Sequence, residues 1–322
     1  MAGEPIIEIV GENILEFSCD VLALKYAQGW HGADLAVSKA LKLGNFWEAP
    51  LPGEYRTLTP DTASRIAAPL VLLEGMPALS KIAYTNIRSF AQSVISHLDQ
   101  VAPNVKHIAM TVHGVNIGMD EREAFLSQIG GLVDGLTSSN VLPELERISI
   151  VELKPDRCLR LMKILQEHNL HRPIKRKSKS PVDSNAPLAM AGSKTEKPHV
   201  FVAMPFTDDM EDVYIFGIQG PIQEAGLLCE RVDMDVFTGD ILERIKNRID
   251  SADLVIGVLN GANANVYLEV GYAWGKNRKT LLICKNPDEL KFDVKGQRCL
   301  IYSSINDLNK KLCKEIQFHM NP

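Results

Sequence analysis

Short apolar segments alternate with longer amphipathic ones along this chain, and the alternation runs twice, on either side of a polar break. Before the break, "PIIEIVG", "CDVLALKY", "PLVLLEG", "HIAMTVHG" and "RISIVEL" have the β-branched and leucine-rich cores of strands. Helical periodicity lies between them, over Ala33–Leu43, Ile82–Val101, Glu121–Leu136 and Pro155–His168. After the break the order is cleaner. Strand "HVFVAMPF", helix Val213–Ala225, strand "LLCERVD", helix Asp240–Ser251, strand "DLVIGVL", helix Val266–Lys276 and strand "KTLLICK" follow in turn. Strands that take turns with helices must pair in parallel, because each crossover helix carries the chain back to the start of the sheet. The predicted class is therefore α/β with two domains: a largely parallel or mixed sheet covered by helices on both faces, then a doubly wound parallel sheet. The second unit, of about 125 residues, is large enough to fold alone.

The break is "HRPIKRKSKSPVDSNAPLAMAGSKTEKP", His171 to Pro198, rich in Pro, Ser, Lys and Ala and without apolar periodicity. It reads as a flexible basic linker, giving domains over 1–170 and 199–322. From Arg172 to Lys197 it holds seven Lys/Arg and two acids, a balance of +5, so the remainder carries −10 of the chain's formal −5. Such a balance gives no general attraction to nucleic acid, and "KRKSK" reads first as a solvated tether. No apolar run reaches the roughly 20 residues of a membrane span, and the amino terminus lacks the pattern of a secretory signal. The six cysteines are scattered without a CxxC pair and the eight histidines show no metal spacing. The expectation is a cytoplasmic protein with reduced cysteines and no metal or cofactor.

In a doubly wound sheet, ligands sit beyond the carboxyl ends of the strands. That rule directs attention to "AMPFTDD", "ERVDMD" and "VLNGANANVYLE". Glu269 is expected on the first turn of its helix, where the dipole favours a carboxylate, yet its neighbours Leu268, Val270, Gly271, Tyr272 and Ala273 describe a packed site. Met204, Pro205 and Phe206 would floor a pocket or belong to the core. Arg231 and Asp233 would hold a phosphate and a ribose, or pair with each other; Asp208, Asp209 and Asp233 are the other acids within reach. Asp240 and Glu243 have capping-box spacing, and Asp253 opens a strand.

"HVFVAMPF" and "SADLVIGVLNGANANVYLEVGYAWGKNRKTLLI" together resemble the nucleoside 2-deoxyribosyltransferase-like superfamily of N-glycosidases, whose flavodoxin-like architecture is related to TIR domains. The resemblance covers about 85 residues from His199 onward and includes Glu269, the following Gly and Ala, and a Gly-Lys step. It implies that Glu269 acts on the anomeric carbon of a nucleoside or nucleotide, with Asn263 and Asn265 orienting the ribose. Where the family's transferases carry an acid six residues before the Glu, this chain has Asn263, which favours hydrolysis over base exchange.

The opening "IIEIVGENILEFSCDVLALKYAQGWHGADLAVSKAL" and the later "HIAMTVHGVNIGMDEREAF" resemble the two ligand loops of a macro domain. The matching positions are Asn13, Asp20 and Gly32, then His113, Gly114, Asn116 and Gly118. Glycine loops leading into helices present N–H groups to phosphates, so an ADP-ribose-type ligand or a nucleotide second messenger is implied there. The asparagine-rich strand end of catalytic macro domains is replaced by Lys25-Tyr26-Ala27, and "GEYRTLTPDTASRIAAPLVLLEG" is equally similar to the non-catalytic amino-terminal domain of leucine aminopeptidases. The first domain is thus a ligand sensor or a structural, oligomerising module. The combination implies a homo-oligomeric NAD+ glycohydrolase-type effector of bacterial antiphage defence. The alternatives are a nucleotide-binding signalling module without catalysis and a (deoxy)nucleoside monophosphate N-glycosidase of salvage or sanitation.

Overall fold

A computed structural model describes residues 4–44, 47–137, 141–175, 186–193, 197–232, 239–291 and 294–320. The chain divides into two compact units, the first comprising Met1–Val115 and Glu121–Lys194, the second Asn116–Asp120 and Thr195–Pro322.

The first unit is built on β1 (Ile6–Val10), β2 (Val21–Tyr26), β3 (Tyr55–Leu58), β4 (Leu70–Gly75), β5 (His107–Met110) and β6 (Arg147–Val151), in the sheet order β1-β6-β5-β2-β4-β3. All neighbours are parallel except β3, which pairs antiparallel with β4 along the edge. Its helices are α1 (Ala33–Ala40), α2 (Tyr84–Val101), α3 (Glu121–Thr137) and α4 (Pro155–Glu167). β2 is buried over five of its six residues, as expected of a central parallel strand covered on both faces. β3 was not visible as a strand because "YRTL" has one exposed and three half-buried positions and no apolar core. Part of the expected linker is ordered on this unit: α5 (Ala186–Met190) is a short helix, and the Arg88 guanidinium donates to the Leu188 and Ala191 carbonyls while gripping both Asp134 oxygens at 2.7 and 3.1 Å.

The second unit has a five-stranded, wholly parallel sheet of β7 (His199–Ala203), β8 (Leu228–Glu230), β9 (Leu254–Val258), β10 (Thr280–Cys284) and β11 (Cys299–Ile301). The order β11-β10-β9-β7-β8 is the flavodoxin-like arrangement. The helix after β7 starts earlier than its periodicity predicts. α6 (Asp208–Asp212) runs through a π-helical turn, Val213–Gln219, into α7 (Gly220–Glu224). α8 (Gly239–Ser251), α9 (Ala264–Gly275) and α10 (Ile305–Met320) complete the unit. One apolar layer gathers Val200, Val202, Ile256, Ile283, Ile218 and Leu312, and the other Phe201, Val255, Leu282, Ile249 and Val270. Among the described residues no helix is long and apolar enough to cross a membrane.

Gly257 decides how closely α9 lies on this sheet. A Cβ there would stand 2.5 Å from Val270 Cγ2 and 3.2 Å from Leu282 Cδ2. The missing side chain is the space Val270 occupies. Gly257→Ala should force α9 off its seat and cost about 1–3 kcal/mol, seen as a lower urea midpoint with an unchanged slope.

Candidate functional site

In the second unit the chain passes from β7 to β8 on one side, then crosses to β9 on the other. The loops leaving β7 and β9 therefore diverge, and in doubly wound sheets ligands bind at the carboxyl edge where this happens. Met204 and Pro205 are buried at the end of β7 and Phe206 is half-buried. The loop after β9 is held from three directions. Asn260 Nδ2 donates to the Tyr302 hydroxyl at 2.7 Å, its Oδ1 accepts from Lys285 N–H at 3.2 Å, and Gly261 N–H donates to Glu289 at 3.1 Å. Asn260 thereby joins the ends of β9, β10 and β11. Its partners stand 25 and 42 residues away, so nothing local in the sequence reveals this role.

Asn263 is the N-cap of α9, its Oδ1 accepting from Asn265 and Val266 N–H at 2.9 and 3.4 Å. The ribose-orienting role expected of Asn263 is thus confined to its Nδ2, because the oxygen is engaged in the cap. Asn265 is exposed as the second residue of the helix. Glu269 is the sixth helical residue, in the second turn rather than the first, so the dipole expected to favour its charge is largely spent there. With Val266, Val270 and Ala273 it forms the buried face of α9. Only 7% of Glu269 is exposed, and no group among the described residues donates a hydrogen bond to it. Burial alone pushes its carboxyl up to about 8. Lys276 of the family-like motif is structural: with Tyr272 it donates to Asp250 at 3.2 Å, tying α9 to α8.

Arg231, after β8, does not stand free. It donates to Glu211 on α6, and its guanidinium carbon lies 3.8 Å from the Tyr214 ring centre and 4.8 Å from that of Phe206. Asp208 is an exposed acid in the first turn of α6, behind the N-cap Thr207, where it complements the dipole. Asp233 and the Asp240 side chain lie outside the described residues. Glu211 and Tyr214 were missed from sequence because acids opening a helix ordinarily serve its dipole, and a tyrosine at helical spacing ordinarily belongs to the core.

The acids that lead strands are structural in both units. Asp253 accepts from His199 N–H at 3.0 Å, and Asp20 from Lys106 and His107 N–H at 2.8 and 2.9 Å. Each pins two parallel strands at their amino ends. Asp20 therefore stands at the amino end of β2, at the edge opposite the one where ligands of such sheets gather. Asn13 is likewise a turn residue, its side chain accepting from Leu15 N–H at 3.1 Å. At the carboxyl edge of the first unit, Lys25 and Asp34 form a buried ion pair of 2.9 Å, and Asp34 also accepts from His31 N–H at 3.0 Å. Gly32, in a positive-φ conformation, opens α1 beside them. Tyr26, Trp30 and Trp47 cluster edge-on and tilted, with centroids 4.9–5.7 Å apart. His113 is buried with Nε2 unpartnered among the described residues, and burial, then the Lys25 charge, hold its ring well below the usual histidine range. Gly114, buried with positive φ, follows it. Asn116 and Gly118 group instead with the second unit. Asn116 is exposed, whereas Gly118 is buried so tightly that a Cβ would meet the Arg231 carbonyl oxygen at 2.4 Å. The Arg231 carbonyl and the Val232 side chain fill the space that glycine leaves.

No family model matches the chain, and no curated protein does. Solved structures similar to it include a macrodomain variant from Oceanobacillus iheyensis, at 15% identity and TM-score 0.40 over 52% of this chain and 94% of that one. A Trypanosoma brucei macrodomain in complex with ADP is 16% identical at TM-score 0.41, covering 50% of this chain and 69% of its own. A CMP N-glycosidase from Clostridium botulinum is 20% identical at TM-score 0.31, covering 36% of this chain and 98% of its own. The architecture is two-domain α/β.

The buried acid makes a stability prediction whose sign is fixed by linkage. Its folded pKa stands above the unfolded value, so the folded state holds the extra proton between 4.5 and about 8, and stability falls as pH rises through that window. Glu269→Gln should match wild type near pH 4.5 and exceed it at pH 8.5, by up to a few kcal/mol, in thermal melts at the two pH values. Asn263→Ala should lose about 1 kcal/mol through the cap, whereas Asn263→Asp should retain it. Urea titrations of both variants test that ranking.

Proposed function

We propose that the second unit hydrolyses the N-glycosidic bond of a nucleotide, with NAD+ the preferred substrate class and Glu269 acting at the anomeric carbon. The observation that carries this reading is a buried carboxyl, without a hydrogen-bond donor among the described residues, on the helix that leaves the switch-point loop. A lone buried carboxylate is costly, and a cationic ligand group offsets that cost. In NAD+ the nicotinamide ring is a cation beside the reacting carbon. Its charge draws the Glu269 carboxyl back towards the ionised form, and ionised Glu269 favours the positive charge that develops on the sugar. As the C–N bond breaks, its electron pair leaves with nicotinamide, which departs neutral and needs no acid. Glu269 stabilises the oxocarbenium ion or traps it covalently. Water then adds to the same carbon and gives its proton to solvent, yielding ADP-ribose, nicotinamide and H+.

A second reading has an observation of its own. Near neutral pH the free protein keeps a proton on Glu269, and a proton is what a neutral leaving base requires. In that reading the substrate is a (deoxy)nucleoside monophosphate. We read the first unit as a sensor for an ADP-ribose-type ligand at the edge holding Lys25, Gly32, His113 and Gly114, or as an assembly module for a homo-oligomer. An effector role in antiphage defence follows only by analogy with proteins of similar architecture.

Wild type and Glu269→Gln should be incubated with NAD+, (deoxy)nucleoside monophosphates and nucleosides, with and without ADP-ribose, and read by chromatography for free base. Nicotinamide from wild type, reduced roughly 100-fold or more in the variant, is the expected result. Free base from a monophosphate alone selects the second reading. Equal behaviour of the two proteins makes Glu269 a structural acid and the unit a binding module.

A further inference from the structure

Arg231 is held as a fixed fork. Tyr214, presented by the π-helical turn, and Phe206 lie against its guanidinium, and Nη1 reaches Met204 Sδ at 3.7 Å. Its side chain is 15% exposed, while that of Glu211, the acid it pairs with, is 47% exposed. Of its five N–H donors, two have these partners and three have none among the described residues. A guanidinium this enclosed needs a counter-ion, and Glu211 supplies one from the solvent side. When Glu211 is displaced it regains water at little cost, whereas Arg231 remains pinned by the rings.

We propose that Arg231 is the phosphate clamp of this site and that Glu211 is the counter-ion it releases, so that Glu211 sets the preference for phosphorylated over unphosphorylated ligands. A planar fork with free donors matches the oxygens of a phosphate, which forms paired charge-assisted hydrogen bonds and carries more charge than the carboxylate it replaces. The placement suits a nucleotide. Arg231 follows β8 and Glu269 belongs to the helix after β9, with β7 between. Two strand spacings, about 10 Å, let a sugar lie towards α9 while its phosphate reaches across the end of β7. The inference rests on the nucleotide reading of this crevice, but its test does not depend on turnover.

The full chain carrying Glu269→Gln is titrated calorimetrically with AMP and with adenosine, then again with Glu211→Gln or Arg231→Gln added. Removing the competing carboxylate should tighten AMP about tenfold and leave adenosine unchanged. Arg231→Gln should reduce AMP to the affinity of adenosine. If Glu211→Gln alters both ligands equally, alters neither, or fails to bind AMP at millimolar concentration, the clamp is overturned. Because Glu211 is half in solvent its substitution leaves the core intact, and if Arg231→Gln fails to fold the Glu211 comparison decides alone. Base release by wild type is a separate readout, so the glycosidase reading can fail while the AMP-to-adenosine ratio still stands.

Discussion

The seat of α9 on the parallel sheet governs the chemistry available to the second unit. Gly257 lets Val270 approach the sheet to a distance that no other residue permits, and Asn263 starts the helix where the loop after β9 ends. Those two contacts determine which face of α9 is buried, and Glu269 lies on that face. Removing its water, with no donor among the described residues, raises its carboxyl to about 8. The unit therefore stores an unfavourable state, a carboxyl that ionises only at a cost, at an edge where ligands of this architecture bind. A positive charge brought beside Glu269 would lower that cost, so the energetics of folding and of any cation bound there are linked.

The two units use one device at their amino edges and different ones at their carboxyl edges. Asp20 and Asp253 each lead a strand and accept N–H groups from the neighbour, holding the register where parallel strands begin. At the carboxyl edge of the first unit, a buried cation and anion neutralise each other, Lys25 with Asp34. At the carboxyl edge of the second, Arg231 has a partner that is half in solvent, and Glu269 has none among the described residues. A satisfied buried pair is costly to break by removal of one partner, and a guanidinium whose counter-ion is half solvated gives it up readily. The buried charges at the carboxyl edge are thus fully paired in the first unit and only partly satisfied, among the described residues, in the second.

Much of the architecture was legible because the signals were local and repeated. β1, β2, β4, β5 and β6 and the main helices of the first unit lie where the apolar periodicity puts them, as do β7–β10 in the second. β3 escaped because an edge strand needs no apolar core, and the helix after β7 was placed five residues late because its opening acids interrupt the periodicity. Glu269 stood out because a carboxylate among apolar neighbours is rare enough to notice. Its partners did not: Asn260 is joined to residues up to 42 positions away, and Glu211 meets Arg231 from across a strand and a helix. Among the macro-like positions, Asp20 and Asn13 hydrogen-bond to backbone N–H groups, which residue type alone did not reveal.

The sequence by itself determined that the chain is two α/β units, that the second winds in parallel, and that Glu269 is anomalous. These follow from periodicity, chain economy and the cost of burying charge, all of which act over a few residues. Only the tertiary structure decided that Glu269 lacks a hydrogen-bond donor among the described residues, that Asn263 spends its oxygen on a cap, and that Arg231 is clamped by Tyr214 and Phe206 against Glu211. Electrostatic character is set by what surrounds a group in three dimensions, and a chain brings distant residues together in ways that no short stretch of it records.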